Sequence, residues 1–256
     1  MSRSYVVTGG GRGIGRAVVE RLLADGGAVI VIELDEAALD WADGHPARDR
    51  ITPVIGDAGD EDVVDRAADL AQQAGELTGW VNNSAVFRDA SAHDTPTRRI
   101  RELISANLDP ALTGCAVAIR RFLAAGTPGA IVNVSSHQAR QAVPGCLPYV
   151  TAKAAIEGMT RALAVEYGRH GIRVNAVAPG SVDTERYRDL LRRSEPAEAA
   201  RIEREMGRLH PLGRLARADE VASVIVLLLS DATSFVNGAT VPVDGGRTAL
   251  AHDPEA

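Results

Sequence analysis

Short apolar, β-branched runs alternate with longer segments of helical periodicity from one end of the chain to the other. The runs fall at 5–8, 28–33, 52–55, 79–82, 130–135, 173–178 and 240–243. Several are near-continuous, such as Ala28-Val29-Ile30-Val31-Ile32, rather than alternating apolar and polar. Parallel strands covered on both faces read this way, because they have no solvent side. Between them, 15–24, 60–74, 111–125, 149–167 and 219–229 have the length and apolar spacing of helices. Repeated β-α alternation implies right-handed crossovers and a doubly wound α/β fold, with a seven-stranded parallel sheet and helices on both faces. No linker, low-complexity tract or internal repeat divides the chain, so one domain over 1–256 is expected.

The segment 185–210 departs from this pattern. It is dense in Arg and Glu, with Leu190, Leu191, Ile202, Met206 and Leu209 spaced like the inner face of two short helices. It reads as a solvated helical excursion, or as a lid over a substrate. Composition narrows the rest. An apolar fraction of 45% is enough for a core, and a net charge of −6 argues against nucleic acid or an anionic membrane as partner. Cys115 and Cys146 are the only cysteines, which does not suit a disulfide scaffold. Six scattered histidines lack metal-ligand spacing, and no run is apolar enough to span a bilayer. The first run begins within a few residues of Met1, leaving no room for a signal peptide, so a cytoplasmic protein is the default expectation.

The first run leads into Thr8-Gly9-Gly10-Gly11-Arg12-Gly13-Ile14-Gly15 and then a helical pattern. Glycines let such a turn pass tightly and let backbone N–H groups approach a pyrophosphate, while the helix N-terminus adds orphan donors and a favourable dipole. A glycine cluster alone is weak evidence; between a strand and a helix it reads as a dinucleotide site. The second run ends in Glu33, eighteen residues after Gly15. A carboxylate there accepts ribose hydroxyls and repels a 2′-phosphate, which favours NAD. Arg12 pulls toward NADP, since a guanidinium in the loop can pair with that phosphate.

These residues open an ordered series that resembles the short-chain dehydrogenase/reductase family, in its compact single-domain branch with a Rossmann-like fold. The TGxxxGxG pattern is matched by Thr8, Gly9, Gly13 and Gly15, with Ile14 inside it. Asp57, followed by Ala58, resembles the family's adenine-contacting acidic position, and Asn82-Asn83-Ser84-Ala85 partly matches its Asn-Asn-Ala-Gly segment. Asn107 looks like the helix asparagine that organises a proton-relay water. Asn133-Val134-Ser135-Ser136 and Tyr149-Val150-Thr151-Ala152-Lys153 resemble the serine and YxxxK motifs, and the thirteen-residue separation selects Ser136. Pro179-Gly180-Ser181-Val182-Asp183-Thr184 resembles the turn beside the nicotinamide, and Val243-Asp244-Gly245-Gly246 the closing strand. Three positions depart from the pattern: Ser84-Ala85, Ala152, and His137 after the serine, which is structural or faces substrate.

The resemblance implies an NAD-dependent oxidoreductase acting on a secondary alcohol or its ketone. Ser136, Tyr149, Lys153 and Asn107 would be its catalytic set. The cofactor contacts would be Gly9, Arg12, Gly13, Ile14, Gly15, Glu33, Asp57, Ala58, Asn83, Pro179, Val182 and Thr184, together with Tyr149 and Lys153. Substrate would meet Ser136, His137 and Tyr149. The chemistry is coherent: Tyr149 and Lys153 share a helix face four residues apart. A free tyrosine titrates near ~10, too high for a base at neutral pH. An ammonium about 4 Å away supplies roughly 4 kcal/mol toward the phenolate. Ser136 would orient the substrate oxygen. An NADPH-dependent reductase of 3-oxoacyl thioesters and a catalytically idle dinucleotide-binding regulator are the alternatives. Arg140, Arg186 and Arg188 read as solvated rather than as partners of an anionic substrate. The family resemblance implies a homo-oligomer, tetramer or dimer, pairing through the helices that carry Asn107 and Tyr149 and through the last strand.

Overall fold

The computed structural model describes residues 2–251. Seven parallel strands form the central sheet: β1 (Arg3–Thr8), β2 (Ala28–Glu33), β3 (Ile51–Ile55), β4 (Glu76–Asn82), β5 (Gly129–Val134), β6 (Ile172–Pro179) and, last in the chain, β9 (Thr240–Val243). Their order across the sheet is β3-β2-β1-β4-β5-β6-β9, so the winding reverses between β1 and β4. A two-stranded parallel pair, β7 (Val182–Asp183) and β8 (Ala216–Arg217), lies outside it.

Alternation along the strands divides the core. Val6, Ile30 and Ile32 point to one face, against α3 (Glu61–Ala74), α4 (Thr97–Ala125) and α5 (Leu147–Tyr167). Val7, Val29 and Val31 point to the other, against α1 (Gly13–Ala24) and α8 (Ala218–Leu229), with the short α2 (Asp40–Asp43) at its margin. The buried residues on both faces account for the continuous apolar runs in the sequence. No helix of the described residues is long and apolar enough to cross a membrane. Cys115 and Cys146 are both free.

Two expectations need correction. The third long helix, α4, starts at Thr97 rather than at 111, because Pro110 lies inside it and does not end it. Proline deprives only the carbonyl four residues back of its donor. Leu103, Asn107, Ala111, Gly114 and Cys115 are buried on either side of it and carry the helix through. The excursion does form two helices, α6 (Glu185–Arg193) and α7 (Pro196–Arg208), but neither has a fully buried residue. Leu190, expected on the inner face, is exposed.

The reversal between β1 and β4 is tied together by side chains. Thr8 Oγ1 accepts from the backbone N–H of Asn83 and of Ser84, each at 3.0 Å. The Asn83 amide donates to the carbonyls of Thr8 (3.1 Å) and Gly9 (2.9 Å). Gly15 packs directly above: a Cβ there would stand 2.0 Å from the Gly9 carbonyl oxygen. Gly15→Ala should therefore cost roughly 1–3 kcal/mol and lower the thermal midpoint by roughly 5 °C. An unchanged midpoint in a melting experiment would show that the loop yields freely at this contact.

Candidate active site

The glycine turn begins where β1 ends, and α1 starts at Gly13. Gly13 adopts φ 52°, a conformation other residues avoid, and a Cβ on it would press Thr184 Cγ2 at 3.1 Å. The turn after β6 thus reaches the loop through Thr184, which packs on Gly13, while Val182 lies on the core face shared by α1 and α8. Ile14 is half-buried and packs into the core face shared by α1 and α8. At the end of β2, Glu33 Oε2 accepts from Gly11 N–H and Oε1 from Leu34 N–H, both at 3.0 Å. Arg12 forms an ion pair with Asp35, which the sequence reading did not anticipate. Asp57 follows β3 and accepts from Gly59 N–H at 2.8 Å, beside buried Ala58. Glu185, at the start of α6, places Oε2 3.0 Å from Gly13 N–H. A carboxylate of the chain itself therefore sits on the first donor of α1.

Ser136 follows the end of β5. Its Oγ accepts from Gln138 N–H at 3.1 Å and caps the turn His137–Ala139. Tyr149 and Lys153 lie on one face of α5, as their spacing requires, and both are buried. Lys153 Nζ donates to the Val134 carbonyl at 2.7 Å and stands 5.5 Å from the Tyr149 ring centre. Burial brings the Lys153 ammonium down to about 8 and pushes the Tyr149 hydroxyl up to about 12; a hydrogen bond from Ser136 works against the latter. The lowered tyrosine expected from the sequence is thus not present in the protein alone. Both charged forms lose hydration, and the ammonium is turned to a carbonyl. Asn107 is buried in α4; its Oδ1 accepts from Val86 N–H at 2.9 Å and its Nδ2 donates to the Leu103 carbonyl at 3.0 Å.

Beneath the site, Asn82 and Asn133 join adjacent strands at 2.8 Å. Asn82 also accepts from Trp80 Nε1 (3.0 Å), and Asn133 donates to Thr160 of α5 (3.0 Å). Each buried polar group finds a partner, which fixes α5 against β4 and β5. Sequence reasoning missed Phe87, whose ring centre lies 4.9 Å from that of Tyr149, with the Arg186 guanidinium 3.9 Å above its other side. No local signal marks Phe87; only the fold brings the loop after β4, α5 and α6 together. His137 is buried, with Nδ1 3.1 Å from the Pro179 carbonyl. No cluster of three or more His, Cys, Asp or Glu among the described residues could hold a metal ion.

Residues 9–248 match the family described as enoyl-(acyl carrier protein) reductase. The chain is 37% identical over 253 residues to 2,5-dichloro-2,5-cyclohexadiene-1,4-diol dehydrogenase of Sphingobium indicum, covering 97% of this chain and 98% of that one. It is 41% identical over 256 residues to cis-4-hydroxycyclohexanecarboxylate dehydrogenase of Sinomonas cyclohexanicum, covering 97% of each. Among solved structures, an oxidoreductase of the short-chain dehydrogenase/reductase family from Burkholderia thailandensis superposes with a TM-score of 0.86 at 31% identity, covering 98% of this chain and 94% of that one. With the sheet order and the ordered motifs in place, these similarities show that the chain belongs to the short-chain dehydrogenase/reductase family and is an oxidoreductase of secondary alcohols and their ketones.

Proposed function

We propose that the chain interconverts a secondary alcohol and its ketone with NAD as hydride carrier and Tyr149 as the group that exchanges the hydroxyl proton. The observation that carries this reading is the convergence of Ser136, Tyr149 and Lys153 at the strand ends beside the glycine turn. The names of the two relatives, a cyclohexadienediol dehydrogenase and a hydroxycyclohexanecarboxylate dehydrogenase, support a ring-borne alcohol.

The residues fit the dinucleotide. Gly9, Gly13 and Gly15 leave a cradle that Cβ atoms would fill, and the N-terminus of α1 opens onto it. Glu33 is held by two backbone donors and suits the adenosine ribose hydroxyls, with Asp57 and Ala58 beside the adenine. Arg12 is paired with Asp35, which leaves it less available to a 2′-phosphate. That weakens the support Arg12 lends to an NADPH-dependent thioester reductase. Bound NAD supplies the hydride acceptor. Ser136 orients the substrate oxygen, Tyr149 takes its proton, and Lys153 holds the nicotinamide ribose while favouring the phenolate. Bringing Tyr149 from about 12 to near neutral takes roughly 7 kcal/mol; an ammonium near 4 Å gives roughly 4 kcal/mol of it. No carboxylate of the described residues pairs with Lys153, so a phenolate beside it would also favour its charged form. Asn107, on the helix that runs on through Pro110, stands where a relay water would return the proton to solvent. Helices α6 and α7 act as the lid.

Family pairing through α4 and α5 and the last strand supports a tetramer or dimer. Ala154, Ala155 and Ala162 are exposed along α5, as are Val165, Leu227 and Phe235 nearby in the fold.

Four measurements test this reading. Tyr149→Phe should lose turnover by roughly 10²–10⁴-fold while binding NAD normally in a fluorescence titration, and Lys153→Ala should lose both. Near-normal turnover in the phenylalanine variant would require another base. In catalytic efficiency NAD should exceed NADP, and Glu33→Ala should narrow the gap; equal use of NADP by the unaltered enzyme overturns the assignment. Glu185 competes with a pyrophosphate for Gly13 N–H, so Glu185→Ala should tighten NAD binding by roughly two- to fivefold. Light scattering at micromolar concentration should give a multiple of the 26.9 kDa chain mass, and a monomer mass sinks the oligomer.

A further inference from the structure

Adjacent strands β5, β6 and β9 end on the same edge, and the residues just beyond them stand in a row. Past β5 come Ser136 and His137, past β6 comes Ser181, and past β9 comes Arg247. Arg247 is only partly exposed, and its Nη1 donates to Ser181 Oγ at 2.9 Å. No carboxylate of the described residues lies within ion-pair distance of it. Asp244, three residues before it, is committed elsewhere: it accepts from Gly246 N–H (3.0 Å), Thr248 N–H (2.9 Å) and Thr248 Oγ1 (2.5 Å). Arg173, another partly buried arginine, covers the carbonyls of Leu228 and Ser230 at 2.8 and 3.1 Å, so its burial is accounted for within the fold. Arg247 has no such set of acceptors. The three arginines that the sequence brings to mind are engaged: Arg140 with Glu157, Arg188 with Asp183, and Arg186 on the Phe87 ring.

A second observation points to a ligand in the same place. The Pro179 carbonyl can only accept, so His137 Nδ1 carries the hydrogen and Nε2 faces the interior; it is buried without a partner, as is Gln138 Oε1. His137 and Arg247 are close enough for the guanidinium charge to help hold the imidazole neutral, with burial the larger cause. The hydroxyl of Tyr187, on α6, is a further buried and unpartnered polar atom. Buried polar atoms left without partners are rare in folded proteins and mark places where something else supplies the bond. The row therefore has unpartnered polar atoms on His137 and Gln138, next to Ser136 in the chain, and a guanidinium with no carboxylate of the described residues at ion-pair distance, only the charge of the already hydrogen-bonded Asp244 acting on it.

We infer that Arg247 is the anchor for a carboxylate on the substrate, which makes the substrate class a hydroxy acid, or the corresponding oxo acid. This rests on the reading of Ser136, Tyr149 and Lys153 as the reaction centre. Neighbouring strands are roughly 5 Å apart, and Arg247 leans back from β9 onto the turn after β6. Its guanidinium thus stands roughly 5–10 Å from Ser136. Hydrogen bonds at both ends leave a separation of several bonds between the carbinol carbon and the carboxylate, so 4-hydroxycyclohexanecarboxylate is a suitable probe and a 2-hydroxy acid is too short. A planar fork of donors matches a carboxylate geometrically, which an ammonium does less well.

The experiment pairs this acid with a neutral ring alcohol, 4-methylcyclohexanol, under NAD. Arg247→Leu should lower kcat/KM for the acid by roughly 10- to 100-fold, mainly through KM, and leave the neutral alcohol within about threefold. Arg247→Lys should recover part of the loss. Calorimetric titration of the same proteins with cyclohexanecarboxylate, which has no reacting hydroxyl, reads binding alone: the unaltered protein should bind it and Arg247→Leu should not. Equal losses for both alcohols, or equal carboxylate binding by both proteins, overturn the anchor. Carboxylate binding that depends on Arg247 in a protein that turns over neither alcohol would instead overturn the reaction and keep the anchor. Melting curves of both variants confirm that each is folded before the comparison.

Discussion

Parallel strands buried on both faces have no room for chemistry along their length, because every side chain there enters one of two apolar cores. Polar groups that must meet a ligand can stand only where the strands end, and in a parallel sheet those ends share one edge. The glycine turn, Asp57, Ser136, the turn after Pro179 and Arg247 all lie just beyond a strand, and Glu33 is the last residue of one. The reversal of strand order between β1 and β4 opens the crevice there, and the bonds from Thr8 and Asn83 hold its two sides in register.

The same burial decides the electrostatics. Tyr149 and Lys153 are each disfavoured as ions in the protein alone, one pushed up and the other down, so neither is spent in advance on an internal ion pair. Opposite charges on the two groups would favour each other. The Val134 carbonyl holds the ammonium in place meanwhile. Asn82, Asn133 and Thr160 fix the supporting helix by satisfying one another, at the cost of requiring Gly114 on α4: a Cβ there would stand 2.1 Å from Asn82 Oδ1.

At the surface of the site the structure uses contacts that span the chain. Glu185 reaches back 172 positions to Gly13, and the Phe87 ring meets both Arg186 of α6 and Tyr149 of α5. The excursion is thereby linked to the glycine turn at one point and to α5 at another. Its helices bury no residue fully, so it is held by few contacts of its own.

The fold class was legible in the sequence, and so was the placing of Ser136, Tyr149 and Lys153, because both depend on local pattern. Runs such as 28–32 report two-sided burial directly, and the glycine turn, the serine after β5 and the Tyr149–Lys153 spacing are fixed over short stretches of chain. Glu33 was legible for the same reason, standing at the end of a recognisable strand. The start of α4 was not, since Pro110 is a local stop that packing against the sheet overrides. Nor was the outward face of Leu190, because helical spacing gives an apolar stripe but not the surface it meets. Arg12 read as a free cation until the fold set Asp35 beside it. Phe87, Glu185 and Arg247 carry no signature of their own: their roles come from neighbours far away in sequence, and only the tertiary structure chooses those neighbours.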